Sequence, residues 1–397
     1  MNGGPERRGW LPCYLSGAGF AVCMAGTTLP TPLYSLYQDK LGFSELTVTV
    51  VYAVYAFGVI GVLLLTGNAS DAVGRRPVLL WGLGCAAASA VCFLCATALG
   101  WLFAGRLLSG LSAGLFTGAA TAYVMELAPL KSSRASFVAT AANMGGLGCG
   151  PLLAGILAQY APWPLHLPFV VHLALVAASA ALLLGLKETV GERRPLSTVR
   201  PQRPGLPPGV RAVFRPAALA SFVGFALFGV FTSVSPAFLS QFLDVENHAV
   251  SGLIVALAFF ASVAGQSAVG RIGERRSLPL GCAGLLGGLA LLAAALWWQL
   301  LPLIVLSALL GGAGQGLTFR AALSQVAAAS PADGRAAVIS TLFVVAYAGI
   351  SLPVIGVGIL SGHIGLQDAG LVFIACMAVL VVCAGIYLLR RPATTRP

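Results

Sequence analysis

Long apolar runs alternate along this chain with short polar breaks. A helix rising about 1.5 Å per residue needs about 20 residues to cross the hydrocarbon core of a bilayer. Runs of that length are predicted at about 11–37, 46–66, 77–97, 100–125, 136–158, 165–186, 217–241, 248–270, 278–297, 301–327, 337–360 and 369–390, twelve in all. The breaks between them sort by charge. One alternating set holds Arg7, Arg8, Arg75, Arg76, Lys131, Arg134, Lys187, Arg193, Arg271, Arg335 and most of the other arginines. The opposite set holds Lys40 alone, with Asp39, Glu45, Asp244, Glu246 and Asp368. Basic residues collect in cytoplasmic loops, so both chain ends are expected in the cytoplasm and the number of crossings is expected to be even.

Composition agrees with lipid as the solvent. Apolar residues make up 58% of the 397 and charged residues 9%, against about 25% charged in a soluble domain. The net charge of +11 is accounted for by one set of loops, so no nucleic-acid partner is implied. The expectation is an all-α membrane protein. Arg7 and Arg8 before an apolar run imitate a signal peptide, but the run continues to Pro30 and Pro32 without a small-residue cleavage site and reads as the first helix. Asn68 and Ser70 form a glycosylation sequon in a turn expected on the cytoplasmic side, where it has no meaning. The nine cysteines all fall in apolar segments and imply small hydrophobes rather than disulfides. Cys92 and Cys95 lack a second ligand pair, and His166 and His172 are too far out of helical register to share a metal. No cofactor or metal is expected.

The longest polar break runs from Gly191 to Pro216 and contains Pro195, Pro201, Pro204, Pro207 and Pro208 among arginines. Proline opposes helix continuation, so 191–216 reads as a linker between a six-helix unit at 1–190 and another at 217–397. The halves echo each other. Ser133, Arg134, Ala135 and Thr140 answer to Gly334, Arg335, Ala336 and Thr341, and Gly110, Pro129 and Gly155 answer to Gly312, Pro331 and Gly356. Repeats of this kind place one substrate site at the midplane between two bodies.

Three stretches carry chemistry. Gly67, Asp71, Gly74, Arg75 and Arg76 form a tight turn between the second and third segments. Leu102, Gly105, Arg106, Ser109, Gly110 and Gly114 follow in the fourth. Gly146, Gly150, Pro151, Ala154 and Gly155 run through the fifth, where small residues allow close helix approach and proline favours a bend. The three resemble signature motifs of the major facilitator superfamily, and the third resembles the version in its twelve-helix drug/proton antiporters. Two departures from that version are Phe137 and Ala154 at glycine positions. Leu29, Pro30, Thr31 and Pro32 also resemble a motif of twelve-helix drug exporters. The resemblance implies two pseudo-symmetric six-helix bundles, with Asp71 facing the N-terminus of the eleventh helix, pairing with Arg75 and joined by Glu126 in a network that clamps the cytoplasmic side. The second-half turn has Gly270 where the acid would fall, so any such clamp is asymmetric. The Gly110, Ser112, Gly114 spacing of a hydrolase nucleophile elbow is rejected, because that elbow needs a strand before its serine. No enzyme is expected.

Arg106 lies inside the membrane, where a charge is a functional candidate; the plainer reading is a side chain snorkelling to the outer headgroups. The resemblance suggests a role in proton coupling. All twelve acids sit in loops or at helix ends, so no buried carboxylate stands ready as proton carrier. His172 is a second coupling candidate, against the plainer reading of a packed, hydrogen-bonded histidine. The resemblance implies a cavity lined by the first, fourth, seventh and tenth helices. Helical spacing groups Thr27, Thr31 and Tyr34 on the first, Phe225, Phe228, Thr232 and Ser235 on the seventh, and Gln315 and Phe319 on the tenth, with Arg320 as another membrane-depth cation. Such a lining suits a neutral, anionic or amphipathic small molecule better than a dication. The expected function is export of a small organic molecule or drug, coupled to protons, by a monomer in the plasma membrane, or the inner membrane in a bacterium. An uptake carrier for a sugar or organic acid, and a non-transporting receptor or scaffold, are the alternatives.

Overall fold

In a computed structural model, residues 9–66, 69–129, 132–195, 197, 199, 201, 204–331 and 334–389 are described, and no strand occurs among them. Arg7, Arg8, Gly67, Asn68, Lys131, Arg200, Arg203, Arg390, Arg391, Arg396 and the side chain of Ser235 lie outside the described part. The chain runs α1 (Leu11–Thr28), a 3-10 turn (Thr31–Leu33), α2 (Tyr34–Leu41), α3 (Glu45–Thr66), α4 (Ala69–Val73), α5 (Arg75–Leu94) and α6 (Leu99–Leu127). It continues through α7 (Ser133–Thr140), a π turn (Ala141–Gly145), α8 (Gly146–Tyr160) and α9 (Leu167–Gly185). The second half holds α10 (Arg211–Ser233), α11 (Ser235–Leu243), α12 (His248–Ile272), α13 (Glu274–Trp298), α14 (Leu301–Ala329), α15 (Arg335–Ile364) and α16 (Leu366–Leu389).

Eleven helical stretches among the described residues are long and apolar enough to cross a membrane, with Ser133–Tyr160 counted as one. The remaining expected span is α1, whose glycines, Ser16, Thr27 and Thr28 dilute its hydropathy and face neighbouring helices instead of lipid; Thr27 and Thr28 are buried. Pro30 and Pro32 lack backbone N–H groups, and the first segment breaks there into a 3-10 turn before α2. The seventh segment differs more from expectation. Pro207 and Pro208 lead through a 3-10 turn at Pro208–Val210 straight into α10, which starts at Arg211 and holds Pro216 inside it. The helix thus begins within the stretch read as linker. It stops at Ser233, and Pro236 sits in the first turn of α11, a position that tolerates proline because the N–H there has no intrahelical acceptor.

Paired glycines repeat between the halves. A Cβ at Gly110 of α6 would run into the Tyr55 carbonyl of α3, and one at Gly312 of α14 would run into the Ala258 carbonyl of α12. Ser89 donates to the Gly105 carbonyl at 2.7 Å, and Ser307 to the Gly288 carbonyl at 2.7 Å. Close backbone approach and serine bonds across helices are how membrane bundles cohere when apolar burial drives nothing. Helices α1, α3, α5 and α6 pack together much as α10, α12, α13 and α14 do.

The two halves meet along α8 with α12 and along α3 with α15. Contact is tightest at the end poor in arginine. There Gly155 lies on the His248 carbonyl, Gly252 on the Pro151 carbonyl and Gly358 on the Thr49 side chain. Polar contacts add to the seal: the His248 N–H donates to Gln159 Oε1 at 2.9 Å, and Gln241 donates to Glu45 at 3.2 Å. Trp163, Trp297 and Trp298 stand exposed around this end, where aromatic side chains suit a headgroup layer. Towards the arginine-rich end the halves part around a cavity.

Candidate functional site

The cavity measures about 680 Å³ and is lined by both halves. Its deep end is formed by Thr27, Tyr52, Tyr55 and Arg106, and its mouth by Thr121, Met125, Ser136, Ala327 and Ala336. Thr121 and Ala336 are exposed there, so the cavity opens at the arginine-rich end. Thr27, Phe225, Phe228, Phe319 and Arg320, all anticipated as lining, line it.

Four other candidates do not line it. Thr31 and Tyr34 are buried just beyond Thr27, in the part of the first segment on the closed side. Thr232 is likewise closed in, donating to the Phe228 carbonyl at 2.7 Å and sharing a 2.6 Å bond with the Tyr52 hydroxyl of the other half. Gln315 turns towards α12, where its Oε1 accepts from Ser262 at 2.6 Å. Its amide nitrogen has no partner among the described residues. Much of the wall comes instead from α3 and α15, which spacing on the first, fourth, seventh and tenth segments had not included. Tyr55 and Tyr347 meet at 6.2 Å, Phe225 lies 5.1 Å from Phe319 and 5.8 Å from Tyr347, and Phe343 lies 5.8 Å from Phe319. The result is an aromatic wall fed by both halves.

Arg106 is 1% exposed. It does not snorkel to a headgroup: one terminal nitrogen donates to the Thr27 carbonyl at 2.5 Å and the other to the Tyr52 carbonyl at 3.4 Å. Its guanidinium carbon lies 5.0 Å from the Tyr52 ring centre and 4.9 Å from that of Tyr55, a cation–π arrangement. Nε has no partner among the described residues. Arg320 reaches across to the other half, donating to Ser136 at 2.9 Å and Thr140 at 3.4 Å. Neither arginine forms an ion pair among the described residues.

His172 lies elsewhere. It is 2% exposed, its ring sits against Gly26, and it borders a void of about 10 Å³ with Cys23, Ser109 and Ser112, apart from the main cavity. Neither ring nitrogen, nor the Ser109 hydroxyl, has a partner among the described residues. A void of that size is about what one water needs.

At the arginine-rich end the motif residues form a hub within the first half. Arg75 pairs with Asp71 at 2.6 Å and Glu126 at 3.0 Å, and donates to Ser70 at 2.6 Å. Arg76 donates to the Leu184 carbonyl at 2.6 Å, tying α5 to the end of α9. Asp71 is 65% exposed, and its ion pair is with Arg75 of its own half. Glu188, which no sequence motif marks, joins this hub. Its carboxylate accepts the backbone N–H groups of Arg75 at 3.0 Å and Arg76 at 3.1 Å, capping the start of α5. Burial raises its pKa, but the N–H groups of Val190, Arg75, Arg76 and Thr189 outweigh that and hold the carboxyl below its ordinary value. Gly74, at φ +113°, brings the turn against this carboxylate, a conformation open to glycine and strained for other residues.

The glycines of α8 divide between two neighbours. Gly146 packs on Ala21 and Gly150 on Ala25 and Thr28 of α1, whereas Gly148 packs on Ala256 and Phe260 of α12 and Gly155 on the start of α12. Pro151 sits inside the helix, which frees the carbonyl one turn earlier. That carbonyl, of Leu147, accepts from the Thr28 hydroxyl at 2.7 Å.

Residues 16–352 match the family model described as the Major Facilitator Superfamily. The puromycin resistance protein pur8 of Streptomyces alboniger is 32% identical over 205 residues, covering 51% of this chain and 40% of that protein. A class G tetracycline resistance protein of Vibrio anguillarum is 32% identical over 266 residues, covering 63% of this chain and 65% of that protein. Each alignment thus spans less than two thirds of the relative's length. Among solved structures, a bacterial homologue of the human lysosomal transporter Spinster, inward-facing and unoccupied, superposes with a TM-score of 0.73 at 15% identity, covering 99% of this chain and 100% of that one. A POT family transporter with 5-aminolevulinic acid gives 0.77 at 13%, covering 96% of each.

Proposed function

The chain belongs to the Major Facilitator Superfamily, and on that premise we propose that it is a secondary active transporter exporting a small organic molecule by alternating access, against proton entry. The observation that carries this reading is a cavity of about 680 Å³ between two repeated halves, sealed at one end and open at the other. With the arginine-rich end in the cytoplasm, that opening faces the cell interior, where an exporter loads. Both termini then lie in the cytoplasm, in the plasma membrane or a bacterial inner membrane, and the carrier works as a monomer. The units of the rocking motion are residues 1–190 and 217–397, with α10 extending back to Arg211. Resistance to puromycin and tetracycline in the relatives supports an amphipathic organic substrate here.

The hub of Asp71, Arg75, Arg76 and Glu126 serves as half of a cytoplasmic gate. In the cytoplasm-open arrangement it is closed within its own half, and on closure Asp71 turns to the N-terminus of α15, whose dipole favours an anion. Coupling rests on Arg106 and His172, the former beside the substrate and the latter in its own polar void. Cells overproducing the protein are expected to accumulate less of some amphipathic compound, and a protonophore to abolish the difference. Uptake that rises on expression, with no compound expelled, would count against export.

A further inference from the structure

The charge of the cavity narrows its ligand. Among the described residues, its lining contains the guanidinium groups of Arg106 and Arg320 and no aspartate or glutamate. An unpaired charge removed from water is costly, and an opposite charge brought to it recovers much of that cost. The hydrogen-bond partners both arginines do have are neutral: main-chain carbonyls for Arg106, hydroxyls for Arg320. Arg106 Nε has no partner among the described residues, in a side chain 1% exposed. A cationic ligand entering this space would meet two like charges; an acidic one would supply what both arginines lack.

Position adds an order to the two. Counting about 1.5 Å per residue, Arg320 sits about 14 Å from the arginine-rich end of α14, and Arg106 about 30 Å from that end of α6. An anion entering from the mouth therefore meets Arg320 first. Between the two stands the wall that holds Phe225, Phe319 and Tyr347, its rings at 5.1 and 5.8 Å from one another. Resting on the transporter reading above, we propose that the substrate is an organic anion: one acidic group on an aromatic or branched apolar body, its acid on Arg106 and its body on the aromatic wall. Arg320 receives the acid on entry, exchanging Ser136 and Thr140 for it. The planar guanidinium fork suits a carboxylate, sulfonate or phosphate oxygen pair.

The test uses three probes with one body and different charge: 2-naphthoate, 2-naphthamide and 2-naphthyl-trimethylammonium. Binding to the full-length protein in lipid nanodiscs is read by equilibrium dialysis. We expect 2-naphthoate to bind about tenfold or more tightly than 2-naphthamide, a gap of about 1.4 kcal/mol, with the ammonium weakest. Arg106→Ala should bring naphthoate down to the level of the amide while leaving the amide unchanged. Arg320→Gln, which keeps a hydrogen-bonding side chain, should reduce the preference in part, and it keeps the test open where Arg106→Ala does not fold. Arg134→Ala, outside the cavity on Trp10 and Tyr14, should change nothing. Equal or tighter binding of the amide or the ammonium, no binding of naphthoate, or a preference that survives both arginine variants would overturn the proposal. The transporter reading fails separately: naphthoate that binds with this preference but never crosses protein-containing vesicles under a pH gradient would leave the site and remove the transport.

Discussion

The Thr28 hydroxyl of α1 donates to the Leu147 carbonyl of α8 at 2.7 Å, at the place where Pro151 leaves that carbonyl without its helical partner. A bend in a membrane helix is tolerated when a neighbour's hydroxyl takes up the released backbone group. The glycine-proline motif and the threonine before Leu29 and Pro30 are thus two sides of one joint. It lies where α8 touches both α1 of its own half and α12 of the other.

Thr28→Val should therefore destabilise the protein by about 1–3 kcal/mol, the cost of leaving a buried acceptor unpaired. In a Pro151→Ala background the helix recovers its own bond, and the same threonine change should cost much less. Thermal unfolding of the four proteins in detergent measures the coupling; additive losses would mean that the hydroxyl does not serve the bend.

Arg106→Ala is expected to insert and fold near normally yet lose active transport. Arg106→Lys should keep only part of it, since a compact ammonium cannot span the Thr27 and Tyr52 carbonyls and stack between two tyrosines as the guanidinium does. Transport at the parental rate by Arg106→Ala would reduce the residue to a packing element.

Glu188 gives a pH dependence with a definite sign. Its carboxyl is held below the ordinary value by backbone N–H groups, so its stabilisation is present above the unfolded value of about 4.3 and fades as pH falls through the lower folded value. Between about pH 5 and pH 3 the parent should lose more of its unfolding temperature than Glu188→Gln does. At pH 7 the variant should be less stable by about 1 kcal/mol, as for loss of a helix cap. Parallel pH curves for the two proteins would exclude this role.

For the proposed gate, Asp71→Asn removes the charge that pairs with Arg75 and that, on the closure proposed above, would turn to the α15 dipole. Such terms are worth about 0.3–1 kcal/mol near a surface, enough to move a balanced equilibrium about two- to fivefold towards the cytoplasm-open state. Single cysteines at Ser133 and Arg335, in a background with the exposed native cysteines replaced by serine, should label faster in Asp71→Asn. Unchanged labelling with normal transport would leave Asp71 a feature of the turn alone.

Lipid made the spans legible in the sequence, because a helix that must cross hydrocarbon has little freedom in length or composition. The breaks were less so. Pro30, Pro32 and Pro236 are visible as letters, but whether a proline bends, interrupts or starts a helix depends on which neighbour takes the freed backbone group, and Thr28 lies far from Leu147 in sequence. The deep arginine could be found from its cost alone. Tyr52, Tyr55 and Tyr347 were missed because helices buried all round show little periodicity, so spacing does not say which face meets a cavity. Thr31, Tyr34 and Thr232 stand on suitable faces but at a depth that the closed end covers. Glu188 had no motif to mark it; two of its backbone donors, Arg75 and Arg76, stand more than a hundred residues earlier in the chain.

Alternating access with proton exchange is tested most directly in inside-out vesicles made from cells that produce the protein, acidified within by respiration or an imposed gradient. An amphipathic substrate identified by reduced accumulation in cells should concentrate in these vesicles, stop on addition of a protonophore, and stop when Arg106 is replaced by Ala. Accumulation that ignores the gradient, or that matches vesicles without the protein, would contradict the account.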